Sequence, residues 1–281
     1  MSDPNERDAS ASVAGERGSA AVEFRFVDVD GIRVCFVRQG ACAGVPVLFL
    51  HDFASSLMHW LPSLTAVGTA APAIALDLPG HGFSALRLPA TDVAGLADFV
   101  VSFMTVLDES RMHLVGHALG GAIAAQIALD HPRRVASLTL LASSGLRDKV
   151  NMAYIEAIAH AESRRALKPV LEQMFADTGM VTRRLVDELL SYKQREGATA
   201  VLVKLAAELF RGGRQIILPT RALRTERLAV QVLWGKEDCI CSVDLVANAP
   251  AGSVVHVFKG AGHMLQLERS QAVSRLIVGL L

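Results

Sequence analysis

Short, almost wholly apolar runs set the strongest limit on what this chain can fold into. They fall at residues 47–50, 73–76, 113–115, 138–141, 230–233 and 254–258. Segments of this length and apolarity fit strands buried on both faces, the pattern of a parallel sheet covered by helices. Residues 93–107, 119–129 and 271–280 carry helical spacing between or after those runs. Strand and helix alternating in this way predict a doubly wound, mostly parallel α/β sheet. At its start, residues 22–27 alternate as a half-buried strand, Asp30-Gly31 supplies a turn, and residues 32–37 run back. That is an antiparallel hairpin at one edge.

Between residues 141 and 230 no strand is legible. Residues 150–163, 167–175, 181–194 and 198–209 read as helices instead, so the interval is a helical insertion rather than a long structureless loop. The expected organisation is a disordered tail over residues 1–20, a core over 21–145 and 226–281, and a helical cap over 146–225. Met152, Tyr154, Met174, Phe175 and Phe210 are the cap side chains expected to shape a pocket.

Lys+Arg and Asp+Glu both total 28, so no net field selects nucleic acid or an anionic membrane. The first twenty residues are polar and lack the apolar stretch of a secretory signal. No run approaches the roughly 20 apolar residues of a membrane span. Cys35, Cys42, Cys239 and Cys241 have neither disulfide-framework nor zinc-site spacing. Reduced thiols and a cytoplasmic location are the expectation.

Chemistry is concentrated in the loops after the strands. His51-Asp52-Phe53 follows the first parallel strand and Asp77-Leu78-Pro79-Gly80-His81-Gly82 the next. Gly116-His117-Ala118-Leu119-Gly120 then joins a strand to a helix. This is the layout of a G-x-S-x-G turn, in which a strained backbone presents a hydroxyl above the sheet. Here its central position is alanine. Asp238 follows a late strand in Trp234-Gly235-Lys236-Glu237-Asp238, and His263 follows the last strand in Gly260-Ala261-Gly262-His263-Met264.

These motifs, in this order, make the chain resemble the α/β-hydrolase superfamily from Val22 to the end. A closer resemblance lies in Leu140-Leu141-Ala142-Ser143-Ser144-Gly145-Leu146, Ala166-Leu167-Lys168-Pro169, Val181-Thr182-Arg183 and Tyr192-Lys193-Gln194-Arg195-Glu196-Gly197, together with the histidine motif. They look like the hydrolase-like domain of the acyltransferase component of acetoin dehydrogenase. In that family the domain follows a lipoyl domain, which the polar residues 1–20 are not expected to form. The resemblance implies a nucleophile position at Ala118, an acid at Asp238 and a base at His263. The backbone N–H groups of Phe53 and Leu119 become the oxyanion-hole donors. His51, Asp52, His117, Tyr154 and Met264 are the expected substrate-binding residues. The implied substrate is a small acyl ester or thioester, with no cofactor, no metal and no nucleic-acid or membrane partner; the oligomeric state is left open.

Two departures complicate that reading. Ala118 has no atom able to attack a carbonyl. Asp52 replaces a glycine of the H-G-X loop and sets a carboxylate beside a developing oxyanion, unless its side chain turns away. Three functions are therefore open: an acyl hydrolase or transferase line with an inactivated nucleophile, a non-catalytic binding protein, or a general-base enzyme using His263 and Asp238 without a covalent step. Ser143 and Ser144 are the candidates for a relocated hydroxyl. On the sequence alone, Ala118→Ser is expected to create a serine hydrolase, with Asp52 limiting how far activity recovers.

Overall fold

The structure, a computed structural model, describes residues 22–281. The expected tail over residues 1–20 lies outside them. Eight strands form one sheet: β1 (Arg25–Val29), β2 (Ile32–Gln39), β3 (Val47–Leu50), β4 (Ala73–Leu76), β5 (Met112–His117), β6 (Val135–Leu141), β7 (Ala229–Gly235) and β8 (Val254–Phe258). Their order is β1-β2-β4-β3-β5-β6-β7-β8. The β1–β2 and β2–β4 pairs are antiparallel and the remaining pairs parallel.

Period-two alternation decides what each strand residue touches. Leu48, Leu50, Ile74 and Leu76 join one core with α2 (Val93–Val106) and α3 (Leu119–Asp130). Val47, Phe49, Ala73 and Ala75 join the other with α1 (Leu61–Val67) and α9 (Ser270–Val278), the latter preceded by the short α8 (Leu265–Glu268). Burial on both faces explains why these strands lack polar positions. The first strand begins at Arg25 rather than Val22. Phe24 instead packs edge-on against Phe83, ring centroids 5.2 Å apart, while Glu23 and Arg25 pair in solvent. Helix α1 was not legible, because seven residues are too few to show a helical period.

Between β6 and β7 the chain forms α4 (Met152–His160), α5 (Arg164–Glu172), α6 (Arg183–Lys193) and α7 (Ala198–Leu209). Asn151, Ser163 and Thr182 cap the first three, each side chain accepting a first-turn N–H. The Tyr192 hydroxyl donates to the Gly80 carbonyl, and Arg195 donates to the carbonyls of Gly82 and Ser84. Lys193 Nζ donates to the Ile158 and Ala159 carbonyls, 2.7 Å each, joining α6 to the last turn of α4. Among the described residues no helix is long and apolar enough to cross a membrane.

The chain leaves β3 toward β4 on one side and returns to β5 on the other. Leu50 pairs with Gly116 across the β3–β5 ladder, so the loops after these strands emerge side by side. Such a reversal of strand order opens a crevice at the carboxyl ends of the strands.

Candidate active site

Ala118 sits between β5 and α3 with φ 43° and ψ −106°. A non-glycine residue held there is strained, typically by about 1–3 kcal/mol. Close packing enforces the turn. A Cβ at Gly116 would lie 2.2 Å from the Gly120 carbonyl oxygen, and one at Gly120 would lie 2.3 Å from that of Leu50. The turn is therefore a strained strand-to-helix elbow with a methyl group at its tip.

Asp52 does not turn away. Its Oδ1 accepts the Phe53 N–H at 2.6 Å and the Leu119 N–H at 3.1 Å. Those are the two groups singled out as oxyanion donors, and they converge on one oxygen of the protein's own carboxylate. Its Oδ2 lies 3.3 Å from His263 Nε2. The other ring nitrogen, Nδ1, is 2.8 Å from Asp238 Oδ2. Asp238 is held in turn by the N–H groups of Ile240 and Cys241, which donate to its Oδ1 at 2.8 and 2.9 Å. The result is a continuous line from Asp238 through His263 and Asp52 to the two backbone donors. The His263 nitrogen on the far side from Asp238 thus faces a second buried carboxylate, that of Asp52.

Electrostatics follow from that line. Burial opposes a charged His263 ring, but Asp238 and Asp52 on its two sides overcome the penalty and push it up to about 10. Burial likewise opposes a charged Asp52, yet His263 and the Leu119 N–H hold it below the ordinary carboxylate range. The resting site is a buried imidazolium between two carboxylates.

The neighbouring histidines are spent on backbone groups and on Gln266. His51 Nδ1 donates to the Asp52 carbonyl at 2.7 Å, and its Nε2 accepts the Leu78 N–H at 2.9 Å. His117 Nε2 donates to the His263 carbonyl at 3.0 Å, and its Nδ1 accepts from Gln266 Nε2 at 3.1 Å. Burial and the charge on His263 push His117 down to about 3, so its ring is neutral. Asp52, His117 and His263 each bring a possible metal-ligand atom within 4.8 Å of the others. Both His117 nitrogens are already engaged, however, and the His263 nitrogen on the Asp52 side carries a proton. The cluster is built as a hydrogen-bonded set, and a cation would have to break it.

The insertion rests directly on the histidine loop. The N–H groups of His263 and Met264 donate to the Met174 carbonyl at 2.8 and 3.2 Å. Glu268, which the sequence did not single out, accepts the Gly262 N–H at 2.8 Å and the Ala176 N–H at 3.0 Å, clamping the two segments together. Phe210 stacks edge-on against Phe53 with centroids 5.8 Å apart. Tyr154 and Met264 are buried, and burial followed by the charge of Asp52 raises the Tyr154 hydroxyl well above its usual range. Ser143 donates to the Ser144 carbonyl at 2.8 Å and is fully buried, so its hydroxyl does not face this site as a free group. A separate cavity of about 730 Å³ opens beside α6, lined by Phe24, Ser55, Met58, His59, Phe83 and Tyr192 among others. Ala118, Asp52 and His263 do not border it.

An eight-stranded, mostly parallel sheet with this elbow places the molecule in a known class: the chain belongs to the α/β-hydrolase family, whose model matches residues 47–276. It is similar to the dihydrolipoyllysine-residue acetyltransferase component of the acetoin cleaving system of Cupriavidus necator, with 44% identity over 95% of this chain and 71% of that protein. The protein of the same name from Pseudomonas putida is 35% identical over 90% of this chain and 68% of its own length. A meta-cleavage product hydrolase from Pseudomonas fluorescens shares the fold, with a TM-score of 0.81, 20% identity, and coverage of 91% of this chain and 96% of that one.

Proposed function

We propose that this chain is an α/β-hydrolase of the ester- and thioester-processing line in which the serine route is closed. Ala118 occupies the nucleophile position, His263 and Asp238 the base and acid positions, and the Phe53 and Leu119 N–H groups the oxyanion hole. Residues 146–225 act as a cap over these groups. The acetyltransferase relatives favour a small acyl group as the substrate of the parent chemistry.

One observation carries the reading: Asp52 Oδ1 accepts both hole donors while Oδ2 faces His263. A single carboxylate thus occupies the place of the substrate's oxyanion and lies where a serine oxygen would meet the histidine. It blocks acyl chemistry twice, by filling the hole and by keeping the base protonated. The same charge state speaks against His263 acting as a general base in the resting protein.

The test is reactivity toward a fluorophosphonate probe and short nitrophenyl esters. Loss of the triad serine costs about two million-fold in kcat in subtilisin, so the unmodified chain should be silent in both assays. Because Asp52 holds the hole, Ala118→Ser alone should label feebly, whereas Ala118→Ser combined with Asp52→Gly should label strongly. Equal labelling by the single and double variants would show that Asp52 does not close the site. Silence of a folded double variant would remove the serine-line reading itself.

A further inference from the structure

We propose that the cavity beside α6 is a binding site built for an uncharged aromatic carbonyl compound. Ala118, Asp52 and His263 do not border it, so the inference goes beyond the serine-line reading and does not rest on it. Its volume of about 730 Å³ falls within the roughly 300–1,000 Å³ usual for small-molecule pockets.

Three walls are fixed before any ligand arrives. Asp77 is fully buried and ties two of them together, its Oδ1 accepting the Leu57 N–H and its Oδ2 the Phe83 N–H, both at 2.8 Å. The first bond holds the segment that carries Ser55, Met58 and His59. The second holds the turn that carries Gly82 and Phe83, where a Cβ at Gly82 would overlap the Asp77 carboxylate. Helix α6 is the third wall. Tyr192 binds it to the Gly80 carbonyl, and Arg195 binds it to the carbonyls of Gly82 and Ser84. Ties on three sides keep the cavity from collapsing, and a preformed site lowers the ordering cost of binding.

The lining selects the occupant. Phe24 and Phe83 meet edge-on, and Met58 and Leu189 extend the apolar surface. Phe83 is 52% exposed although its backbone is held by Asp77, so a ring laid against it would remove apolar surface from water. The Met58 thioether favours an aromatic partner as well. The charged groups are already engaged. Arg183 and Arg184 pair with Asp187 and Glu188 at 3.6 and 3.0 Å, and Arg195 is spent on backbone carbonyls. An ionised ligand would have to break one of these pairs.

One polar pair is left to read the ligand. Ser55 Oγ and His59 Nδ1 are 2.6 Å apart, and both residues border the cavity. Burial pushes His59 down to about 4, so its ring is neutral and carries a single N–H. Among the described residues the Ser55 hydroxyl has no other acceptor, so it donates to Nδ1 and the ring proton sits on Nε2. That nitrogen has no partner among the described residues. A neutral donor of this kind calls for an uncharged oxygen acceptor, which a carbonyl supplies.

The test is photo-crosslinking of the full chain with benzophenone, an uncharged aromatic ketone, followed by mass spectrometry of the digest. Adducts should fall on Met58, Phe83 or Leu189, with a yield that saturates as the probe is raised. The ionised analogue 4-benzoylbenzoate should label these residues at least about tenfold less at equal concentration. Ser191 is exposed on α6 and borders the cavity, so Ser191→Trp should fill it and abolish the adducts. His59→Phe keeps a ring of similar size but removes the Nε2 donor, and should weaken the apparent affinity about fivefold. Circular dichroism establishes that both variants are folded. In the dark, benzophenone should slow proteolysis within residues 146–225, because the bound ring bridges α6 and the core. Adducts scattered over the surface, adducts unchanged in folded Ser191→Trp, or equal labelling by the carboxylate would overturn the proposal. Fluorophosphonate labelling of the Ala118→Ser, Asp52→Gly variant reports on the serine-line reading separately, so either idea can fail without the other.

Discussion

Asp52→Asn isolates the charge that governs this site while leaving its shape nearly intact. The amide oxygen can still accept the Phe53 and Leu119 N–H groups, and the amide nitrogen can donate to a neutral His263. What disappears is a negative charge 3.3 Å from His263 Nε2. At that separation and an effective dielectric near 20, a unit pair is worth about 5 kcal/mol. Asp238 raises His263 more than Asp52 does, so removing the Asp52 charge should lower the ring from about 10 while Asp238 still holds it above the ordinary imidazole range. The assay is an NMR titration of the His263 ring protons. Stability should follow with a definite sign. A folded-state pKa raised above the unfolded value of about 6.5 stabilises fully below that pH and ceases to as pH rises through about 10. The wild-type protein should therefore lose more stability than the variant between neutral pH and about pH 10, read from urea midpoints. Identical titration of His263 in the two proteins, or a wild-type ring titrating near 6–7 as unperturbed imidazole does, would refute the ion-pair account.

Other substitutions test the scaffold. Ala118→Gly should raise stability by about 1 kcal/mol in urea unfolding, since glycine accepts the positive φ at the elbow; a loss would mean the turn is not strained. Gly116→Ala should leave little soluble protein, because the added Cβ meets the Gly120 carbonyl oxygen at 2.2 Å; a normal yield with wild-type circular dichroism would contradict the packing described. Tyr192→Phe removes the hydroxyl that donates to the Gly80 carbonyl and should cost about 1 kcal/mol. It should also speed proteolysis within residues 146–225 before the core is cut, and unchanged proteolysis would show that this bond does not hold the insertion.

The parts of this structure governed by periodicity were legible in the sequence. Residues such as Phe49 and Ala75 must be buried whichever face they take, so the parallel strands appear as short apolar runs. Helical patterning marked the insertion helices over residues 150–163, 167–175, 181–194 and 198–209, but not the caps at Asn151, Ser163 and Thr182 that set where three of them start. Position after strands drew attention to Ala118, Asp238 and His263, and the family resemblance supplied the roles expected of them and of the Phe53 and Leu119 N–H groups. It could not reveal that Asp52 would reach both donors. That contact joins loops after β3 and β5, and it depends on a side-chain rotation chosen by a histidine 211 residues away along the chain. The clamp at Glu268 was hidden for a similar reason, since its partners at Gly262 and Ala176 become neighbours only when the insertion folds back.

A side chain already seated in an anion receptor has a thermodynamic consequence for whatever else enters it. Asp52 is attached to the loop that supplies one of the two donors, so it competes with free ligands as an intramolecular occupant. For well-oriented groups, effective concentrations reach about 10⁵ M or more, far above any cellular metabolite. A carboxylate-bearing ligand or product that needs the same N–H groups will show only the affinity left after Asp52 has been displaced. A carboxylate ligand drawn to these N–H groups should accordingly leave quickly, displaced from within by a carboxylate that is always next in line.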